Sequence, residues 1–327
     1  SMVYLAEYGE LHVIDASAPE AVLHLPSIPE HALRVDVFNG YAYITGNSGF
    51  QVLDLDDPVS PELVGQIPGY QFTWTEFFRN GNYGYAVGTD QGFGAVDILN
   101  LTDPAAPHVV TRIESGSTLS GAVVVGNRIY AVGDGLLHVM DIEDPTNPAW
   151  IGSEPVEQGA SKIAYSDGHL YALGAEITVY DAATDPDIPA VVGRFAGITG
   201  NEIHTFGRDL AVLAEHEIHI LDIRDPVSPA LMRSIRTSQP ASRMSLAQDR
   251  AHAVTSRCSC SRSCYWDIYL EILNLENRPP ALSPDVIPTS GQPSRLLLDG
   301  DRAYACVPEG IEALEIPSAG EPLQVGM

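Results

Sequence analysis

Basic residues are scarce in this chain of 327 residues, where 17 lysines and arginines stand against 43 aspartates and glutamates. The formal net charge of −26 would repel a phosphate backbone, so we expect no nucleic-acid partner. It also disfavours binding to an anionic membrane surface. No apolar run approaches the roughly 18 residues that cross a bilayer, so no inserted segment is expected. No signal peptide is recognisable after Ser1-Met2, which resembles a cloning remnant.

Signatures of common enzymes are missing as well. The chain has no Gly-x-Ser-x-Gly elbow and no Gly-x-x-x-x-Gly-Lys-[Ser/Thr] phosphate loop. The run His216-Glu217-Ile218-His219 resembles the His-Glu-x-x-His zinc motif superficially. We expect it to lie in a strand, where the two histidines would point to opposite faces and could not share a metal ion.

What the chain has in abundance is one repeated phrase: an apolar strand that ends in Asp, followed by Asp-Pro-x-x-Pro, as at residues 52–61 and 220–229. Eight copies, spaced 39 to 52 residues apart, are anchored at Asp15, Asp54, Asn100, Asp141, Asp181, Asp222, Asn274 and Glu315. A period near 40 residues filled with short strands is typical of a β-propeller. We predict an all-β fold, a propeller of four-stranded antiparallel blades, as a single domain over residues 1–327.

One repeat divides into four predicted strands, which span residues 33–38, 41–45, 50–55 and 62–67. Asn39-Gly40 predicts a tight hairpin between the first two strands. The Asp before each turn proline is expected to accept backbone N–H groups two residues further on. Residues 3–25 supply only three strands, so the count reaches 31. Eight blades, with the first lacking or borrowing its innermost strand, fit best, and seven blades are the alternative.

The phrase Leu-x-Val-[Ile/Leu/Met]-Asp followed by Asp-Pro-x-x-Pro-x-x-Val-Gly resembles the LVIVD repeat family. It reads cleanly at residues 52–65, 138–152 and 220–229, and looser copies extend over nearly the entire chain. The copy at Asn274 departs most, because Asn-Arg-Pro-Pro replaces the Asp-Pro turn at residues 277–280. The resemblance implies a bacterial propeller that is secreted or associated with the cell surface, with no common activity established for the family.

Basic residues recur at one position of the repeat, at the start of the predicted innermost strand. They are Arg34, Lys162, Arg243 and Arg295. Innermost strands line the central channel of a propeller, so these side chains would form a cationic ring at one mouth and attract an anionic group. The alternative is that they pair with acids at the corresponding places of other blades, such as Glu76 or Glu202.

Aromatic residues cluster near one of these strands, at Tyr70, Phe72, Trp74, Phe77 and Phe78. Phe72 and Trp74 share a strand face. If that face is turned to the mouth, it offers a stacking platform for a sugar or a peptide. Packing in the core between blades is the alternative.

Four cysteines, Cys258, Cys260, Cys264 and Cys306, are expected to form two disulfides, because the count is even and the protein resembles secreted ones. Cys258 and Cys260 are too close in sequence to pair with each other. We expect one bond within the insert and one to Cys306. A zinc site or free thiols are the alternatives.

Aspartates of the repeated turns could hold calcium, although turn capping explains them equally. They are Asp54, Asp56, Asp57, Asp141, Asp144, Asp181, Asp185, Asp187, Asp222 and Asp225. No loop matches a known calcium pattern, so we predict no cofactor, with calcium as the alternative.

These observations together predict a non-catalytic, extracytoplasmic interaction or adhesion module. It would meet a protein or glycan at the cell surface through its loop face and channel mouth, at Arg34, Lys162, Arg243, Arg295, Phe72 and Trp74. An enzyme that acts on an extracellular polymer is the alternative, with Glu76 and Glu202 as its acid–base pair. A structural domain within a larger surface protein is a third possibility.

Overall fold

The computed structural model describes residues 2–7, 10–15, 23–24, 28–29, 32–46, 49–57, 61–68, 72–90, 93–156, 159–237, 239–247, 250–260, 264–274, 285–288, 296–299, 302–307, 310–315 and 323–326. All regular structure in these residues is β-strand. Within them no helix is long and apolar enough to cross a membrane.

Four sheets make up the first half of the chain. The first contains β1 (Met2–Glu7), β2 (Glu10–Asp15), β3 (Leu23–His24) and β4 (Ile28–Pro29). The second contains β5 (Ala32–Phe38), β6 (Tyr41–Gly46), β7 (Gly49–Asp54) and β8 (Glu62–Pro68). The third contains β9 (Phe72–Asn80), β10 (Tyr83–Asp90), β11 (Phe93–Asn100) and β12 (His108–Glu114). The fourth contains β13 (Gly121–Val125), β14 (Arg128–Gly133), β15 (Leu136–Asp141) and β16 (Ala149–Pro155).

Four more sheets follow in the same manner. The fifth contains β17 (Lys162–Ser166), β18 (His169–Leu173), β19 (Glu176–Asp181) and β20 (Ala190–Ala196). The sixth contains β21 (Glu202–Phe206), β22 (Asp209–Leu213), β23 (Glu217–Asp222) and β24 (Ala230–Arg236). The seventh contains β25 (Ala241–Ala247), β26 (Arg250–Cys260), β27 (Cys264–Asn274) and β28 (Asp285–Pro288). The eighth contains β29 (Leu296–Asp299), β30 (Arg302–Val307), β31 (Gly310–Glu315) and β32 (Leu323–Gly326).

Each sheet from the second to the eighth is an antiparallel meander in which consecutive strands pair in chain order. The first sheet differs, because β3 and β4 both pair with β2 and together form one interrupted outer strand. In the described residues, β1 pairs only with β2 and lies beside β5 of the second sheet. The three strand positions predicted for residues 3–25 are therefore present. The fold is a β-propeller of four-stranded blades, and the number of blades in the ring stays a prediction.

The hydrophobic core lies between neighbouring sheets. Tyr43 and Phe50 of the second sheet pack with Leu99 of the third, and Tyr130 of the fourth packs with Leu170 of the fifth. Similar clusters join the third sheet to the fourth, the fifth to the sixth and the sixth to the seventh. Because both faces of the third to sixth sheets are covered, their central strands read as continuous apolar runs in the sequence.

Hairpins and connections distinguish the two ends of the sheets. Asn39 and Gly40 both have positive φ, as the predicted tight turn requires. This hairpin, the equivalent one at Asp167-Gly168 and the Asp-Pro turns lie at one end, which we call the turn face. The opposite end, the mouth face, carries the hairpins between second and third strands and the connections that enter each first strand, such as residues 197–201.

The aspartates of the turn face cap their own turns. The carboxylate of Asp103 accepts the backbone N–H of Ala105 at 3.0 Å, and Asp144 accepts that of Thr146 at 2.9 Å. The same bond is made by Asp185 and Asp225. The predicted closure of the Asp-Pro turns is confirmed at these copies, and it explains why an Asp stands before each proline.

Outer strands carry a one-residue bulge, and in several of them a glycine follows it. Val52 pairs with Gly65 while the next residue pairs with Leu63, so Val64 is the extra residue. The same shift occurs at Gly152 and Gly193. A Cβ atom on Gly65 would lie closer than 3.0 Å to the carbonyl oxygen of Pro104 in the next repeat. The Asp-Pro turn of the following repeat thus packs directly against the glycine of the Val-Gly pair.

Candidate functional site

The first strands of consecutive sheets lie beside one another, from β9 through β13, β17, β21 and β25 to β29. They are therefore the innermost strands and line the central channel. An irregular pairing at the mouth face begins six of the first strands, β5, β9, β13, β17, β21 and β25. The N–H of Ser161 donates to the carbonyl oxygen of Leu173 at 3.0 Å, and Lys162 also pairs with Leu173. A bulge of this kind turns a side chain to a new direction at the edge of a sheet.

One register position at the bulge carries a charged residue in most inner strands. We call this set the mouth girdle, and it consists of Arg34, Glu76, Gly121, Lys162, Glu202 and Arg243. Three of its charged members are basic and two are acidic. The sequence analysis located the basic residues and also placed the acids Glu76 and Glu202 at the corresponding positions of other sheets.

Two members of the girdle form an ion pair across a third. The Nζ atom of Lys162 lies 4.0 Å from Oε1 of Glu76, and the intervening girdle residue is Gly121. A Cβ atom on Gly121 would lie 2.6 Å from the carbonyl oxygen of Ser161, so the neighbouring strand occupies the space of a side chain. The structure therefore shows the alternative predicted for Lys162, which is pairing with the acid Glu76.

Glu202 ties two neighbouring inner strands together. Its Oε2 atom accepts the backbone N–H of Met244 in β25 at 2.6 Å. The Nε2 atom of His204 lies 3.6 Å from the same oxygen. A carboxylate that accepts a backbone N–H is held in one orientation, so Glu202 presents a fixed negative charge at the mouth.

For the remaining predicted contact residues, the structure gives the position of the backbone only. Arg34 and Arg243 lie at the girdle positions of β5 and β25, and Phe72 and Trp74 lie in β9 opposite Asp90 and Gly88. The side chains of these four residues, and Tyr70 and Arg295 as a whole, are outside the described part of the chain.

Two aromatic residues of the predicted cluster belong to the core. The rings of Phe77 and Phe50 lie 5.6 Å apart between the second and third sheets. Phe78 packs on the other side of its sheet, against the fourth. For these two residues, packing between blades is the role that the structure shows.

The cysteine insert forms the long hairpin of β26 and β27. Cys260 lies opposite Cys264 in its register, and Cys258 lies opposite Trp266. Cys306 lies in β30, opposite Ile311. The cysteine side chains are outside the described residues, so the disulfides stay a prediction.

No group of three or more His, Cys, Asp or Glu side chains in the described residues could hold a metal ion. The turn aspartates use their carboxylates to accept backbone N–H groups, as Asp54 does from Asp56 at 2.8 Å.

The placement predicted for the His216–His219 run is wrong by one residue, because β23 begins at Glu217. His216 lies in the preceding hairpin, and both histidines line one cleft on the mouth face. Sequence periodicity missed this cleft, since the alternation of a strand does not extend into a hairpin. An alignment of the repeats was the available signal, because it places His216 at the position of Gly135, which lies in the hairpin of the fourth sheet.

A buried histidine anchors another loop of the mouth face. Nε2 of His138 lies 2.9 Å from Oγ of Ser117, and the Trp150 ring meets the imidazole edge-on at 5.7 Å. Burial lowers the pKa of His138, and the negative charge of Asp134 offsets part of this effect. Asp134 accepts hydrogen bonds from the backbone N–H and Oγ1 of Thr118, and these bonds lower its own pKa.

The family resemblance is confirmed in two segments, where a family model described as "LVIVD repeat" matches residues 29–68 and 120–154. No curated protein matches the chain.

Solved structures resemble the fold over nearly its full length. The computationally designed Ika8 protein is 12% identical with a TM-score of 0.70, covering 96% of this chain and 93% of its own. Sqt1 of Saccharomyces cerevisiae is 10% identical with a TM-score of 0.72, covering 97% and 93%. A functionally unknown protein from Desulfotomaculum acetoxidans DSM 771 is 14% identical with a TM-score of 0.59, covering 87% and 94%. At these identities the likeness shows the fold alone.

Proposed function

We propose that this β-propeller with LVIVD repeats is a non-catalytic interaction module that binds a protein or glycan through its mouth face. The observation that carries the proposal is the mouth girdle. Five charged residues stand at the same register position of five inner strands, at the point where each strand begins with an irregular pairing. A rigid frame that repeats charged groups around one opening suits recognition of a partner that presents complementary charges.

The bonding of the two girdle carboxylates favours recognition over catalysis. Glu76 faces the ammonium group of Lys162, and Glu202 accepts the N–H of Met244. Both carboxylates are therefore engaged by groups of the protein itself. A general acid must lie within hydrogen-bonding reach of the substrate atom that it protonates. These carboxylates are better suited to fixing charge and geometry.

We propose an extracytoplasmic location, at the cell surface or secreted. The net charge of −26 keeps the protein soluble and away from anionic surfaces, and a disulfide-stapled hairpin would suit an oxidising environment. The resemblance to LVIVD repeat proteins points the same way. Surface proteins or glycans of the same cell are then the partners to test.

The experiment uses the fact that Lys162 is the sole lysine of the chain. A lysine-directed cross-linker therefore attaches the protein only through the mouth or through the N-terminal amine. We would apply the cross-linker to the protein on its native cell surface and identify what is captured.

Two variants then locate the binding face. Combined alanine replacement of Arg34, Arg243 and Lys162, with capture by a tag in place of the cross-linker, should abolish retention of the partner. A control with Arg194, Arg208 and Arg224 replaced by alanine removes the same charge from the outer strands and the turn face, and should retain it. Equal retention by both variants, or no capture by the parent, would contradict the proposal.

A further inference from the structure

A cleft of about 520 Å³ opens on the mouth face beside the girdle. Its walls are the connection at residues 199–201 and the hairpin between β22 and β23, and Ala241 closes one side. Polar residues that line it are Glu215 and His216 of the hairpin and Glu217 and His219 of β23. The volume suits one long side chain or one small organic ligand.

The cleft has a local cause in the sequence. Gly133 ends β14 of the fourth sheet, Gly174 directly follows β18 of the fifth, and Ala214 takes the equivalent place after β22 of the sixth. A Cβ atom on Gly133 would lie closer than 3.0 Å to the carbonyl oxygen of Thr118, and one on Gly174 would lie 3.0 Å from the nitrogen of Ala160. A connection cannot pack as tightly against Ala214.

The hairpin of the sixth sheet places charged residues at the rim. Residues 214–217 connect the paired residues Leu213 and Ile218, and Glu215 and His216 at the tip are exposed.

Backbone hydrogen bonds fix this hairpin in place. The N–H of Ala241 donates to the carbonyl oxygen of Glu215 at 2.6 Å, and that of Thr237 donates to His216 at 3.0 Å. Across the turn, the N–H of Ala214 donates to Glu217 at 2.8 Å. The lining groups are therefore presented by a formed structure, which reduces the ordering cost of binding.

The charge of the cleft is negative. Oε1 of Glu217 accepts Nε of Arg236 at 3.1 Å, and Nδ1 of His219 lies 2.7 Å from Oγ of Ser234. Glu215 adds a second, exposed carboxylate at the rim, on a molecule whose overall charge attracts cations. The bond from Arg236 shows that a guanidinium can approach Glu217 at this site.

We propose that this cleft binds the cationic side chain of a partner peptide, a guanidinium or an ammonium group, with Glu215 as its carboxylate acceptor. This inference rests on the proposed function, since it gives the mouth face a ligand class. The girdle would meet the remainder of the partner, and the cleft would fix one basic residue of it.

The test measures binding of N-acetyl-arginine amide to the full chain by ligand-observed NMR. The N-acetyl-citrulline amide, which has the same shape without the charge, is the matched ligand control. Glu215→Gln should weaken arginine binding about ten-fold, because one charge-assisted hydrogen bond is lost. Glu143→Gln removes the same charge from the turn face and should leave binding unchanged.

Each outcome decides the proposal. Equal binding of arginine and citrulline would overturn it, since the cleft would then not recognise the positive charge of the ligand. Equal weakening by Glu143→Gln would also overturn it, since the effect would then not depend on a carboxylate in the cleft. Tighter binding of spermidine than of the blocked arginine would overturn the assignment to a peptide side chain in favour of a free polyamine. If a partner is captured through Lys162 but arginine does not bind, the proposal for the cleft is wrong, whereas the proposed function of the mouth face is still supported.

Discussion

The carbonyl oxygen of Val227 lies where a side chain on Gly193 would begin: a Cβ atom there would come closer than 3.0 Å to it. Gly193 belongs to the outer strand β20, and Val227 belongs to the Asp-Pro turn of the next sheet. Consecutive repeats are thus in direct contact at this position. Gly65 makes the equivalent contact with the turn at Pro104 and Pro107.

Replacement of Gly193 by alanine should destabilise the protein by about 1–3 kcal/mol, because a methyl group is forced into an occupied position. Gly193 is not among the described residues with positive φ, so the cost is steric. Gly152→Ala is the graded control, since its Cβ would lie 3.1 Å from the carbonyl oxygen of Asp187. Urea unfolding followed by circular dichroism measures both. A midpoint for Gly193→Ala equal to that of the parent would contradict this view of the repeat.

The sequence predicted the local features of this fold well. The strands β5 to β8 match their predicted residues within one or two positions, and the Asn39-Gly40 turn and the capping by Asp103 occur as expected. These features depend on period-2 patterning and on residues two or three apart. Such signals are complete within a short stretch of chain.

Features that depend on contacts between repeats could not be predicted in the same way. The basic residues of the girdle and the acids Glu76 and Glu202 were found by comparing repeats, but the sequence left open whether Lys162 pairs with Glu76, because the ion pair crosses an intermediate sheet at Gly121. His216 was placed in a strand because the residue pattern does not mark where the hairpin ends and β23 begins, at Glu217. Non-local distance decides the first case, and the exact end of a hairpin decides the second.

Arg128 joins two repeats on the turn face. Its Nη1 atom donates to Asp141 at 2.7 Å within its own sheet, and its Nε atom donates to Asp187 of the next sheet at 2.6 Å. The hydrogen bond to Asp187 is the main reason that the pKa of Arg128 is raised.

Arg128→Met, which keeps the length of the side chain without its donors, should lower stability by about 1–2 kcal/mol. Arg224→Met is the control, because Arg224 is exposed and pairs with Asp222 within its own turn. We expect no measurable change for it. Thermal unfolding of both variants provides the comparison, and an equal effect of the two would refute a specific role for the link to Asp187.

The ion pair of Lys162 and Glu76 should contribute little to stability. The two side chains are partly exposed and 4.0 Å apart, so a double-mutant cycle with Lys162→Met and Glu76→Gln should give a coupling of about 0.2–1 kcal/mol. The coupling should shrink as salt is added, because screening weakens partly exposed pairs. A coupling several times larger and insensitive to salt would show that this pair is a structural element of the inner ring.

His138 makes stability depend on pH with a defined sign. Because burial lowers its pKa from the usual 6.5, the unfolded chain binds a proton at this residue before the folded protein does. The stability that neutral His138 contributes is therefore present above pH 6.5 and is lost as the pH falls through the folded pKa. His138→Gln keeps an acceptor for Ser117 and removes the titration. Between about pH 7.5 and 5.5, around the ordinary histidine pKa, the parent should lose more stability than this variant, measured as urea midpoints by tryptophan fluorescence. Parallel losses in the two proteins would assign the pH dependence to other groups.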